Sequence, residues 1–363
     1  MKRILVTILC STFALSATAC NSNETNTVET AEAVATTEAV VETVVEDIET
    51  QIDEKLERMN LEGIVYITHG DDVVYSTAIG KNEKGTDLTI ESPRYIDSVS
   101  KQFCATAIMM LKEQNKLSVD DTLDKYFPEY EIGKDITIKN LLTMRSGIPD
   151  LGNGAQTFSP KDNESDNIDS IKEWIFNQQL IFEPDTKMEY SNTNYSLLAY
   201  IVESVSGQSY NDFIRENIFK PLEMNNSGFV NEVADNPYFS KDLTYETLTA
   251  HEDKGTAKGA GDVVSTASDM DKWMTGLMSG KIISQESYIE MTTDHSPDFV
   301  EHYGYGLSGM YKKGFGHLGS IGNFMALDYF NEELGYNIFV ATDRGCSQLV
   351  SIPSILMDIL IGK

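Results

Sequence analysis

Arg94-Tyr95-Ile96-Asp97-Ser98-Val99-Ser100-Lys101-Gln102-Phe103 contains the spacing S-x-x-K and runs straight into Cys104-Ala105-Thr106-Ala107-Ile108-Met109-Met110. The apolar run predicts a helix. If Ser98 opens it, Lys101 lies one turn later on the same face, and the Ser98 hydroxyl sits at the positive end of the helix dipole. A lysine amine partly withdrawn from water there loses affinity for its proton and can take one from Ser98. Alone the pattern is weak, because serine is also a common helix N-cap.

Two further stretches give it weight. Tyr190-Ser191-Asn192 follows a loop containing Pro184 and precedes a helical pattern at Leu197 to Val205, so it can present a phenol and an amide side by side. A Tyr190 phenol of lowered pKa, close to a lysine, is a suitable general base and acid. Gly316-His317-Leu318-Gly319-Ser320 lies just before the last strand patterns. Glycine there allows close backbone approach, and an edge-strand amide can serve as an oxyanion donor.

Around these stretches the chain reads as strands at both ends enclosing helices. Ile48, Ile52, Leu56 and Met59 recur at helical spacing. Two β-rich runs, Gly63 to His69 and Val73 to Ile79, flank a Gly/Asp turn; a second hairpin pattern joins Phe324–Phe330 to Tyr336–Thr342. Between them, residues 101–290 are mainly helical in pattern, and an amphipathic helix is expected from Ile352 to Ile361. This is an α/β layer domain over 46–363 with a helical subdomain at about 101–290.

A formal charge of -29 over 363 residues, with 41% hydrophobic and 23% charged residues, suits a soluble folded domain and argues against nucleic-acid partners. Residues 1–19 read as an export signal: Lys2 and Arg3, then an apolar stretch, then Ala17-Thr18-Ala19 before Cys20. Cys20 resembles the lipidated cysteine of a bacterial lipobox, with Ala17 where Leu is usual; the alternative is an ordinary signal that contains a cysteine. Residues 20–45, rich in Thr, Glu, Ala and Val, read as a disordered acidic tether. Export, with a lipid anchor on the outer face of the bacterial membrane, is the expectation. Cys104 and Cys346 are too few for a disulfide framework or a zinc site; two separate buried thiols are expected, with one disulfide between them as the alternative. His69, His251, His295 and His302 have no metal-ligand spacing and read as loop or surface residues, and Asp162 to Asn167 reads as a polar loop.

Taken in order, the three motifs resemble the serine β-lactamase and penicillin-binding-protein superfamily, in its branch of class C β-lactamases, D-alanyl-D-alanine carboxypeptidases and related esterases. Further stretches carry the resemblance: Leu117-Ser118-Val119-Asp120-Asp121, Ile138 to Ile148, Gly259 to Thr266, and Tyr303-Gly304-Tyr305-Gly306-Leu307. It implies a β-lactamase/transpeptidase-like α+β fold, an antiparallel sheet flanked by helices. It also implies an acyl-enzyme on Ser98, proton transfer by Lys101 and Tyr190, and an oxyanion hole from the amides of Ser98 and Ser320. Asn192, His317 and Gly319 would bind a small-molecule or peptide substrate, with neither metal nor cofactor. His317 stands where many β-lactamases have Lys, so its charge would turn on pH near 6.5. Asp97 replaces the usual Gly or small residue, and Met144-Arg145 replaces a common His-Thr pair. The first departure bears on turnover or the oxyanion hole; the second is read as structural. The expected substrate is an amide or ester, with D-alanyl peptides of peptidoglycan first. A carboxylesterase or D-amino-acid peptidase is the alternative, and a non-catalytic penicillin- or wall-peptide-binding protein the reading of another class.

Overall fold

The computed structural model describes residues 47–82, 84–151, 164–243, 257–296, 302–321, 323–344, 346 and 348–363. The first helix, α1 (47–58), leads into the hairpin β1 (Gly63–His69) and β2 (Asp72–Ile79). A short strand β3 (Arg94–Tyr95) precedes a 3-10 turn over Asp97–Ser100 and helix α2 (Lys101–Glu113). Helices α3 (Ile138–Leu142), α4 (Glu164–Phe176), α5 (Asn192–Ser206) and α6 (Tyr210–Ile214) follow. Strands β4 (Gly228–Phe229) and β5 (Val263–Ser265) come next, then helices α7 (Ala267–Met278) and α8 (Gln285–Thr292). The chain ends in β6 (Ser308–Gly309), β7 (Phe315–Ile321), β8 (Phe324–Asn331), β9 (Tyr336–Thr342) and α9 (Ile352–Leu360).

The main sheet has six strands in the order β2-β1-β9-β8-β7-β6, every neighbouring pair antiparallel. The first and last strands therefore meet in its middle, where β1 pairs with β9 from Gly63↔Thr342 to His69↔Tyr336. Side chains alternate across the strands, and both faces are covered. Val65, Ile67, Leu327, Tyr329, Ile338 and Val340 pack with Ile52, Leu56, Ile352 and Leu356 of the terminal helices. Ile64, Ala326, Phe330, Phe339 and Ala341 turn the other way, into one apolar cluster with Phe103, Leu197, Ile201 and Trp273. The α2 ring of Phe103 stacks on Trp273 of α7 at 4.1 Å between centroids. Helical insertion and sheet thus share one core. This agrees with the expected α+β fold, an antiparallel sheet flanked by helices.

Some local expectations change. A second sheet, β3-β5-β4, interrupts the helical stretch with strands of two or three residues. Glu164 to Asn167, expected in a loop, already belong to α4. Cys104 and Cys346 are separate free thiols, the first buried as expected and the second only half-buried. His69, expected in a loop, is the exposed last residue of β1, its ring tilted against Tyr336, while His295 stacks on Tyr305 and meets the Glu290 carbonyl at 3.0 Å. His302 meets the Thr292 carbonyl at 3.0 Å. The expected signal over 1–19, Cys20, the expected tether over 20–45 and His251 lie outside the described residues, as do Asp162 and Asn163.

Candidate active site

Ser98 does not open the long helix. Asp97 has a left-handed backbone (φ 42°), which turns the chain through Asp97–Ser100 before α2 begins at Lys101. The turn nevertheless brings the two side chains together: Lys101 Nζ lies 3.0 Å from Ser98 Oγ. Lys101 also donates to Asn192 Oδ1 at 2.7 Å and to the Ala260 carbonyl at 2.6 Å, and none of it reaches solvent. Burial pulls its pKa from 10.5 down to about 8 against the opposing pull of Asp97, Asp150 and Asp262. At pH 7 about a tenth of such a lysine is neutral and free to accept a proton.

Asn192 is the first residue of α5, and Asp150 supports it. The Asn192 backbone N–H donates to Asp150 Oδ2 at 2.6 Å, and its side-chain Nδ2 donates to the same oxygen at 3.1 Å. A carboxylate at this helix start is favoured by the dipole and by the unpaired amides of the first turn. With Oδ1 on Lys101 and Nδ2 on Asp150, the Asn192 amide is already engaged at both ends. Met144 and Arg145 hold the loop ahead of it. The Met144 carbonyl accepts from Glu189 N at 3.0 Å, its sulfur accepts from Ser191 N at 3.5 Å, and Arg145 Nε donates to Asp185 Oδ1 at 2.8 Å.

Tyr190 sits in that loop with 39% of its surface open, its ring centroid 4.9 Å from Lys101 Nζ. Its pKa is pushed up, first by desolvation and then by the Tyr303 phenol, while the Ser98 hydroxyl pulls weakly the other way. The expected lowering is therefore reversed: Tyr190 keeps its proton, and Lys101 is the group tuned toward neutrality.

Opposite, β7 lies against the Asp97–Ser100 turn. A Cβ at Gly319 would come within 2.2 Å of the Ile96 carbonyl and 3.0 Å of the Ser98 amide nitrogen, so glycine is what lets the strand approach. Next to it, Ser320 N donates to Asp97 Oδ2 at 2.6 Å. His317 is buried, with Nδ1 2.7 Å from the Leu318 carbonyl and Nε2 3.3 Å from the Tyr303 hydroxyl. A carbonyl only accepts, so the proton is on Nδ1 and Nε2 accepts from Tyr303. Desolvation and the nearby Lys101 charge drive the His317 pKa down to about 3. The expected switch near pH 6.5 is thus absent, and His317 is neutral throughout the ordinary range.

Ser98, Lys101, Tyr190, Asn192, His317, Gly319 and Ser320 accordingly gather in one place. Asp150 and the Ala260 carbonyl, which sequence reasoning missed, complete the support of Lys101. Asp150 follows Gly147-Ile148-Pro149, a turn signal that was the available cue. Among the described residues no cluster of three or more His, Cys, Asp or Glu could hold a metal ion.

Comparison with known proteins bears on this assembly. The Bacillus subtilis (strain 168) protein PbpX, named as a penicillin-binding protein, is 36% identical over 217 residues, 58% of this chain and 52% of its own length. The chain spans about half the length of the curated relatives it matches. The octameric penicillin-binding protein homologue from Pyrococcus abyssi superposes with a TM-score of 0.71 at 28% identity, covering 88% of this chain and 78% of that one. D-amino acid amidase from Ochrobactrum anthropi SV3 shares the fold, with a TM-score of 0.73 at 22% identity over 88% of this chain and 99% of that one. The family model described as Beta-lactamase matches residues 48–345, a span that takes in both sheets and all of the residues gathered above, and the chain belongs to that family.

Proposed function

We propose that the protein is an acyl-transfer serine hydrolase with Ser98 as nucleophile. The observation that carries this reading is the 3.0 Å contact between Ser98 Oγ and a fully buried Lys101 whose pKa falls to about 8. Neutral Lys101 takes the Ser98 proton as Oγ attacks the carbonyl carbon. The amides of Ser98 and Ser320 hold the oxyanion, each such donor being worth about 3 kcal/mol of barrier. Tyr190, still protonated, gives its proton to the leaving group and recovers one through Lys101. Water then attacks the acyl-enzyme by the reverse route.

Charge bears on the substrate. The ionisable carboxylates that act on Lys101 are Asp97, Asp150 and Asp262, and His317 carries no charge. Such surroundings favour an ester or amide without a free carboxylate beside the scissile bond, over a D-alanyl-D-alanine peptide that ends in one. We read the export signal and Cys20 as placing this activity at the outer membrane face, on a tether.

The test is to incubate the full chain and Ser98→Ala with a fluorophosphonate and a fluorescent penicillin, and to read intact mass. Fluorophosphonate labelling that disappears in Ser98→Ala is the expected result, with weak or no penicillin labelling. Absence of both labels in folded protein would overturn the hydrolase reading in favour of a binding protein.

A further inference from the structure

The amide assigned above to the oxyanion is already occupied. Ser320 N donates to Asp97 Oδ2 at 2.6 Å; burial raises the Asp97 pKa, and the Lys101 charge with hydrogen bonds from the Ser320 amide and the Ser98 amide and hydroxyl opposes that rise. One carboxylate therefore faces both donors of the hole and the nucleophile between them. The backbone is bent to put it there: Asp97 has φ 42°, a conformation that disfavours residues with a Cβ. Gly261 leaves room on the other side, since a Cβ on it would lie 2.5 Å from Asp97 Oδ1.

We propose that Asp97 is an internal product analogue: its carboxylate fills the oxyanion hole as the acid released by deacylation would, and a substrate carbonyl reacts only after displacing it. This rests on the acyl-hydrolase reading for its consequence, and on the Asp97–Ser320 contact for its geometry. Tethering gives the carboxylate a high effective concentration at the hole, which a free carbonyl has to overcome. A neutral carbonyl oxygen competes poorly for amide donors against an anion. Asp97 is thus a specificity-determining residue. It holds back indiscriminate acylation and admits substrates whose remaining contacts are strong enough to move it.

Two variants vacate the hole by different means. Asp97→Gly removes the carboxylate and suits the left-handed backbone, so it folds as the wild type does. Gly261→Ala keeps Asp97 but places a methyl group 2.5 Å from Oδ1, too close for both to stay, and the contact is with the end of a movable side chain. Each variant of the full chain is compared with wild type in two measurements. One is the second-order rate of fluorophosphonate labelling, in which the Ser98 Oγ–P bond forms and fluoride leaves. The other is binding of acetate, followed by the NMR signal of carbon-13 acetate. One oxyanion donor is worth about 100-fold or more in rate, so labelling is expected to rise at least tenfold in both variants. Acetate at millimolar concentration is expected to bind Asp97→Gly and not the wild type. If neither wild type nor variants are labelled, the hydrolase reading fails, while acetate binding confined to Asp97→Gly still upholds the plug. A folded Asp97→Gly protein that reacts no faster and binds no acetate overturns it.

Discussion

Acylation by this site is expected to follow the titration of Lys101 and of no ordinary lysine. With a pKa of about 8, the neutral fraction is about 1% at pH 6 and about 90% at pH 9, a rise of roughly 90-fold that levels off above pH 9. His317, driven down to about 3, does not change charge in that range, and Tyr190 is pushed above its usual value. Asp262 is raised to about 7 by burial, and its charge holds the Lys101 proton more tightly. Asp262→Asn is therefore expected to move the inflection to lower pH. The assay is the second-order rate of fluorophosphonate labelling between pH 6 and 10 at constant ionic strength. Lys101→Arg, charged throughout, is expected to abolish the rise. A wild-type rate that stays level from pH 6 to 9, or climbs only near 10.5, would refute the assignment of Lys101 as the base.

Other expectations concern neighbouring groups. Tyr190→Phe should reduce ester turnover by about 100-fold or more with little change in melting temperature, since 39% of Tyr190 is exposed; near-wild-type turnover would remove it from the proton path. Asp262 has a folded pKa near 7, above its unfolded value of 3.8. Its contribution to stability is full below pH 4 and is lost as pH rises through 7, on the order of 4 kcal/mol in all. Chemical denaturation should therefore show the stability of Asp262→Asn gaining on wild type between pH 5 and 8, and a constant difference would count against a buried, proton-holding Asp262. Trp273 Nε1 donates to Gln102 Oε1 at 2.8 Å, and Gln102 Nε2 lies 2.7 and 2.8 Å from the two Asp328 carboxylate oxygens, so an amide at 328 must set its NH2 against Nε2. Gln102 cannot flip without losing Trp273, so Asp328→Asn turns a donor toward a donor and should cost about 1–3 kcal/mol, read from the same denaturation curves. Cys20→Ala should abolish incorporation of a labelled fatty acid, and retained label would exclude that cysteine as the anchor.

Much of the site was legible because its parts sit at element boundaries that sequence marks well. S-x-x-K at a helix entry, Tyr190-Ser191-Asn192 at the start of α5 and the glycine-containing strand β7 each announce themselves by residue type. What escaped depended on backbone direction. Asp97 stood out as a departure, but only its left-handed φ of 42° shows that the carboxylate turns toward Ser320. That same residue moves the start of α2 from Ser98 to Lys101. The pKa of His317 follows from burial and from a Tyr303 partner 14 positions away, which no local pattern encodes. The first turn of α4 is Glu-Ser-Asp-Asn, with no apolar periodicity to reveal a helix. Strands of two or three residues in the small sheet are too short for alternation to register.

The central claim is that an acyl group passes through Ser98. The full chain would be mixed with p-nitrophenyl acetate, quenched in acid within the first turnovers, digested and mapped by mass spectrometry. The account predicts acetyl on the peptide containing Ser98, placed on that side chain by fragmentation and absent from Ser98→Ala. Acetyl found on Lys101 or Tyr190 instead, or hydrolysis that persists in Ser98→Ala, would contradict it.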